Sequence, residues 1–203
     1  MKIKALQVGP IGTNCYLLED ETTNSAAVVD PGGEAERILA QLKADGMEVK
    51  CILLTHAHFD HTGGVADLRA ALPQVPVYLH RLDAERLGTG EMPAIGPTVP
   101  YDEGDEVLVG ALTVKVLFTP GHTPGGVTLL VEGERVLFTG DTLFQGSMGR
   151  TDLAGGNYEE IMRSLARLAA LEGDYHVLPG HMGGSTLERE RKSNYYVMEA
   201  VQG

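Results

Sequence analysis

Three histidines and an aspartate fall within six residues in the run Thr55-His56-Ala57-His58-Phe59-Asp60-His61. Imidazole nitrogens and carboxylate oxygens are the donors that borderline transition-metal ions take, so this density points to metal chemistry. At an extended strand end, His56 and His58 point the same way, because side chains alternate with period two. Asp60 and His61 follow on a turn and can face a second ion. The Gly63-Gly64 pair lets the backbone turn tightly into a helix. A satisfied polar turn would account for one such cluster. It does not account for three further donors, each beside glycine at the end of an apolar run. These are His122 in Thr119-Pro120-Gly121-His122-Thr123-Pro124-Gly125, Asp141 in Thr139-Gly140-Asp141-Thr142, and His181 in Leu178-Pro179-Gly180-His181. Donors gathered at the carboxyl ends of strands are where an α/β sheet places its site.

The elements that must hold these donors follow from apolar patterning. Strands are expected at 3–8, 15–19 and 26–30, separated by Gly-Pro, Gly-Thr-Asn and acidic turns. Ala35, Ile38, Leu39 and Leu42 lie at helical spacing, with Gly46 as a stop. The unbroken apolar run Cys51-Ile52-Leu53-Leu54 reads as a strand buried on both faces. A helix should begin near Gly64, and a strand should return at 75–79. The second half repeats this order, with strands at 112–118, 126–131 and 135–139. A helix then carries Tyr158, Ile161, Met162, Leu165, Leu168 and Ala169 on one stripe, with Asn157 as cap and Glu160 reaching back. A strand at 175–178 precedes a last helix with a capping box from Ser185 to Glu188. Two similar sheets with helices outside make an α/β four-layer αββα sandwich of two pseudo-repeated halves, one domain over residues 1–203. The Gly- and Pro-rich stretch 88–100 is the exception to short connections and reads as a surface loop or a lid.

Composition narrows the function classes. The chain has 203 residues, and 28 acids against 16 bases leave a net charge of −12. That balance disfavours nucleic acid and anionic membranes as partners and leaves a small-molecule substrate. No apolar run reaches membrane-spanning length, and Gly9-Pro10 interrupt the N-terminus before a signal-peptide core develops. Two cysteines make no disulfide framework, which reads as cytoplasmic. Cys15 and Cys51 lie in apolar strands as inert core residues. His80 and His176 border strands and read as structural histidines. Arg150, just past Gly-Ser-Met-Gly, reads either as an ion-pair partner of Asp152 or as a substrate-binding cation.

The pattern His56-x-His58-x-Asp60-His61, followed in order by His122, Asp141 and His181, resembles the metallo-β-lactamase superfamily. The resemblance runs from about residue 3 to residue 194, nearly the whole chain. It implies the αββα fold, with His56, His58 and His122 on one ion and Asp60, His61 and His181 on the other. Asp141 would bridge the two, together with a water or hydroxide. The implied cofactors are two divalent transition-metal ions, zinc foremost, with iron or manganese as options. Within the superfamily, the antibiotic-hydrolysing enzymes usually carry Cys or Ser where Asp141 stands. Flavodiiron proteins have Glu at the position of His58. The chain is most similar to glyoxalase II (hydroxyacylglutathione hydrolase) in a short form without the C-terminal helical domain. Gly12-Thr13-Asn14-Cys15-Tyr16, Asp30-Pro31-Gly32, Asp141-Thr142-Leu143-Phe144 and Gly149-Arg150-Thr151-Asp152 carry that likeness. The tail, Thr186 to Asn194, is similar to the family's closing pattern but has Glu188 for Gly and Tyr195 for Pro. The likeness implies hydrolysis of a glutathione or other acyl thioester by a metal-bridging hydroxide. Asp60 would orient the nucleophile and Arg150 would hold a substrate carboxylate. Persulfide dioxygenases with a single iron and acyl-homoserine lactonases share enough of the pattern to stand as alternatives.

Overall fold

A computed structural model describes residues 1–203. The first half opens with an antiparallel meander of β1 (Lys2–Val8), β2 (Thr13–Asp20) and β3 (Ser25–Val29). Helix α1 (Ala35–Asp45) crosses over to β4 (Glu48–Leu53), which runs parallel to β3. Two short helices, α2 (Phe59–Thr62) and α3 (Val65–Ala71), lead to β5 (Val77–His80). Helix α4 (Arg81–Ala84) then leads to β6 (Val99–Tyr101), completing a sheet in chain order.

The second half repeats the plan. Strands β7 (Glu106–Val109), β8 (Leu112–Phe118), β9 (Val127–Val131) and β10 (Val136–Gly140) are antiparallel neighbours. A small hairpin, β11 (Leu143–Phe144) and β12 (Ser147–Met148), precedes α5 (Tyr158–Ala169). Strand β13 (His176–Pro179) runs parallel to β10, and β14 (Ser185–Thr186) closes the second sheet. Helices α6 (Leu187–Ser193) and α7 (Tyr195–Gln202) end the chain.

Alternation along β2 explains the layering. Tyr16 and Leu18 face the opposite sheet and join Val29, Leu53, Val116, Leu129 and Phe138 in the central core. Cys15 and Leu17 face the other way, against Ile38 and Leu42 of α1 and Leu68 of α3. On the far side, Leu165 and Leu168 of α5 and Val197 of α7 cover Leu137 and Val177. Both faces of each sheet are therefore covered, as a strand buried over its whole length requires. The four-layer αββα sandwich is the architecture.

Several local expectations change. Residues 88–100 do not hang free: Met92 and Ile95 are buried in the outer core, and residues 99–101 form β6. The Phe59 N–H donates to the Glu91 carbonyl at 2.8 Å, which ties this stretch to α2. Asn157 caps α5 by accepting from the Glu160 N–H at 3.1 Å. The reciprocal arm is absent, because the Asn157 N–H is taken by the Gly121 carbonyl at 2.8 Å. The cap of α6 is Thr186, not Ser185, which pairs in β14 and donates its hydroxyl to Glu190. Gly63 and Gly64 have ordinary helical backbone angles. They are needed for space, since a Cβ at Gly63 would sit 2.6 Å from the Gly32 carbonyl oxygen. No helix is long and apolar enough to cross a membrane.

Candidate metal centre

The seven donors converge at one end of the sandwich. His56 and His58 follow β4, and the single turn of α2 presents Asp60 and His61. His122 comes from the loop between β8 and β9, Asp141 follows β10, and His181 follows β13. Each lies beyond the carboxyl end of its strand, where side chains can reach across the top of both sheets. All are buried except Asp141 and His181, whose side chains keep only 10% and 22% of their surface exposed.

Three imidazoles surround one point. The rings of His56, His58 and His122 lie 4.7 to 4.8 Å apart and are mutually near-perpendicular. His58 Nδ1 and His122 Nε2 approach to 2.9 Å. A second group gathers His181 Nε2 at 3.0 Å and His61 Nε2 at 3.4 Å from Asp60 Oδ2. Asp141 stands between the groups. Its Oδ1 is 3.3 Å from His61 Nε2, and its Oδ2 is 3.5 Å from His122 Nε2 and 3.6 Å from His181 Nε2. Three overlapping donor groups therefore form: His56/His58/His122, His56/His61/Asp141 and Asp60/His61/His181, with donor atoms within 4.8 Å of one another in each.

The hydrogen bonds on the outer side of the rings decide what faces inward. His122 Nδ1 donates to the Arg150 carbonyl at 2.7 Å, leaving the Nε2 lone pair for the site. His61 Nδ1 faces Asp30 Oδ2 at 2.9 Å. Asp30 is itself fixed by the Thr55 N–H at 2.7 Å and hydroxyl at 2.6 Å. Thr13 Oγ1 donates to Asp60 Oδ2 at 3.1 Å. Such outer partners fix tautomer and orientation of metal-binding side chains. Inward, His56 Nε2, His61 Nε2 and Asp141 Oδ1 are buried without any hydrogen-bond partner. Orphaned buried acceptors of this kind are expensive, and a cation between them is the group that would satisfy them.

Protonation differs between the two groups: burial alone would lower His61, but Asp141 and Asp30 hold it well above the ordinary histidine range, and the hydrogen bond to Asp60 raises His181. Burial, reinforced by neighbouring imidazoles, holds His56 well below the ordinary histidine range and brings His58 down to about 4. Burial pushes the Asp60 and Asp141 carboxyls up, but the adjacent His61 and His181 outweigh it and hold both below the usual carboxylate range. At neutral pH, His56 and His58 are neutral donors and both carboxylates are anionic.

Five of the donors, His58, Asp60, His122, Asp141 and His181, line a cleft of 630 Å³, with Ile11, Phe59 and Met182 on its walls beside Glu91 and Arg150. A groove of 680 Å³ between the sheet edges, lined by Ile3, Ala5, Val136 and Leu178, has no convergent donors. His80 is structural: it faces Asp102 at 3.1 Å, stacks on Phe118 and caps α4. His176 is exposed on β13, away from the donors. Cys15 and Cys51 are buried free thiols, and burial pushes Cys51 up to about 12. Arg150 pairs with Asp152 through Nε and Nη2, both at 2.7 Å. Sequence alone does not assign Thr13, in Gly12-Thr13-Asn14, or Asp30, in Asp30-Pro31-Gly32, to the site. An acid closing an apolar strand was the available signal for Asp30.

Comparison with known proteins agrees with this geometry. The chain is 39% identical over 209 residues to the probable metallo-hydrolase YqgX of Bacillus subtilis, covering 97% of this chain and 98% of that one. It is 32% identical over 217 residues to the hydroxyacylglutathione hydrolase GloC of Haemophilus influenzae, again covering 97% and 98%. Among solved structures, the di-iron-bound form of TTHA1623 superposes with TM-score 0.82 at 39% identity, covering 95% of this chain and 99% of that one. BLEG-1, a B3 metallo-beta-lactamase, gives 0.86 at 35%, covering 97% and 99%. ETHE1 from Myxococcus xanthus gives 0.84 at 30%, covering 98% and 85%. The family model of the metallo-beta-lactamase superfamily matches residues 8–181, a span that includes all seven donors. With that match, this fold and this convergence of donors, the chain belongs to the metallo-beta-lactamase superfamily.

Proposed function

We propose that the chain is a binuclear metallo-hydrolase that cleaves an acyl thioester, with a glutathione thioester as the leading substrate. The observation that carries this reading is Asp141, a buried carboxylate standing between two complete donor groups at the floor of an apolar-walled cleft. His56, His58 and His122 would hold one ion and Asp60, His61 and His181 the other. Bound there, two divalent cations supply a water of lowered pKa and polarise a carbonyl. Asp60, steadied by the Thr13 hydroxyl, would help hold the metal and orient the attacking water. Phe59, Ile11 and Met182, apolar and exposed on the cleft, would contact the acyl group. A thiol leaves as thiolate without a proton, so no general acid is required of the cleft. The hydroxyacylglutathione hydrolase relative supports the thioester over other acyl groups. The likeness to ETHE1 supports a second reading, a single-iron dioxygenase acting on glutathione persulfide.

Elemental analysis of metal-saturated protein should give two ions per chain, with turnover of S-lactoylglutathione. One iron per chain, with oxygen consumed on glutathione persulfide and no thioesterase activity, would replace this proposal by the second reading.

Arg150 offers a narrower expectation. Its guanidinium is largely exposed and already shares two nitrogens with Asp152, leaving Nη1 for a substrate carboxylate. Exposed charge contacts are weak, so Arg150→Ala should raise KM for a glutathione thioester about three- to tenfold and leave kcat and metal content unchanged. Asp152→Ala, which frees the guanidinium fork, should lower that KM. A thioester without carboxylates should respond to neither change; equal effects on both substrates would make Arg150 structural.

A further inference from the structure

One buried carboxylate outside the donor set touches both segments that carry the three-imidazole group. Asp83, in α4, is fully buried. Its Oδ2 accepts the Ala57 N–H at 2.9 Å, and its Oδ1 accepts the Gly125 N–H at 2.6 Å. Ala57 sits between His56 and His58 beyond the first sheet. Gly125 closes the loop that brings His122 from the second. We infer that Asp83 is a positioning residue, a two-pronged acceptor that sets His56 and His58 against His122 and so builds the three-imidazole group. The inference rests on the metal-binding reading above.

Four observations support it. Asp83 has no cationic partner within ion-pair distance, and a buried carboxylate without one is costly unless its hydrogen bonds matter. The seat is tight, since a Cβ at Gly125 would lie 2.6 Å from both Asp83 Oδ1 and its backbone nitrogen. Helix α4 is itself anchored, because His80 accepts from the Leu82 N–H at 3.3 Å and stacks on Phe118, the last residue of β8. The 2.9 Å approach of His58 to His122 spans 64 residues of sequence, so it depends on how these two loops are aligned. Asp83 touches neither ring. Its action is on the backbone that aims them.

The test is metal affinity, measured by titration of metal-free protein against a competing chelator, with anomalous scattering to locate the ion retained. Asp83→Asn keeps the side-chain shape but sets an amide N–H against one of the two backbone N–H groups. Gly125→Ala disturbs the same contact from the other side, should Asp83→Asn fail to fold. Either variant should weaken the ion at His56/His58/His122 by about 10- to 100-fold, the usual effect of losing an outer partner, and spare the ion at Asp60/His61/His181. Asp20→Asn is the control. Asp20 is also buried, and it ties Thr22 and Ala111 at the opposite end of β2. It should leave both affinities unchanged. Equal weakening by Asp20→Asn, equal weakening of both ions, or no weakening by either variant would overturn the role of Asp83. Wild-type protein that takes up no divalent ion would instead overturn the metal-binding reading itself.

Discussion

Asp141→Ala should cost the protein at least one metal ion and lower kcat/KM for a thioester at least a thousandfold, about 4 kcal/mol of transition-state stabilisation. The other six donors divide into two groups of three, and each group keeps a quorum if one member is lost. Asp141 belongs to neither alone. Its two oxygens lie 3.3 to 3.6 Å from nitrogens of His61, His122 and His181. Removing it leaves two cations, if both stay, without the shared negative charge that keeps them close. Asp141→Asn sharpens the experiment, since it keeps the shape and removes the charge. Near-normal turnover with two ions bound in either variant would show that Asp141 does not bridge.

Thioester hydrolysis should exceed penicillin hydrolysis by at least a thousandfold in kcat/KM, about 4 kcal/mol in the difference of barriers. The 35% identity to BLEG-1, a B3 metallo-beta-lactamase, makes this the sharpest choice among neighbours of the same fold. The argument is about leaving groups. A thiol of pKa about 8.5 departs as the anion, whereas an amide nitrogen must collect a proton as its bond breaks. No lysine or tyrosine lines the cleft to deliver one, and Arg150 does not release its protons. Comparable kcat/KM values on S-lactoylglutathione and a penicillin would reverse this substrate choice.

All seven donors were legible because each is announced locally, His56, His58, Asp60 and His61 by their density after an apolar run, and His122, Asp141 and His181 by an adjoining glycine at the end of one. The stripe Ile161, Leu165 and Leu168 was legible for the same kind of reason, since one periodicity repeats within one helix. What escaped depends on approach between distant segments. Asp30 meets His61 from 31 residues away, and Asp83 meets Gly125 from 42. The apolar strand that Asp30 closes marks the acid but not its partner, and nothing near Asp83 in sequence marks it at all. Strands β6 and β7 escaped because three or four residues are too few to establish alternation, and β6 contains Pro100. Helix α7 escaped because its only fully buried anchor is Val197. The capping box failed at Ser185 because β14 extends one residue further than local signals suggest, leaving Thr186 to cap.

The donors are unevenly shared: His56, His58, Asp60 and His61 come from the first half of the chain, and His122, Asp141 and His181 from the second. Neither half owns a complete group. Any ion held here joins the two halves and is lost when they part, so the unfolded chain competes poorly for it. By mass action, each ion present at a hundredfold excess over its dissociation constant adds about 2.7 kcal/mol to folding. That is a large share of the roughly 5–15 kcal/mol that holds a domain together. The abundance of folded protein is then itself a function of free metal concentration, and starvation for metal removes the catalyst along with its activity.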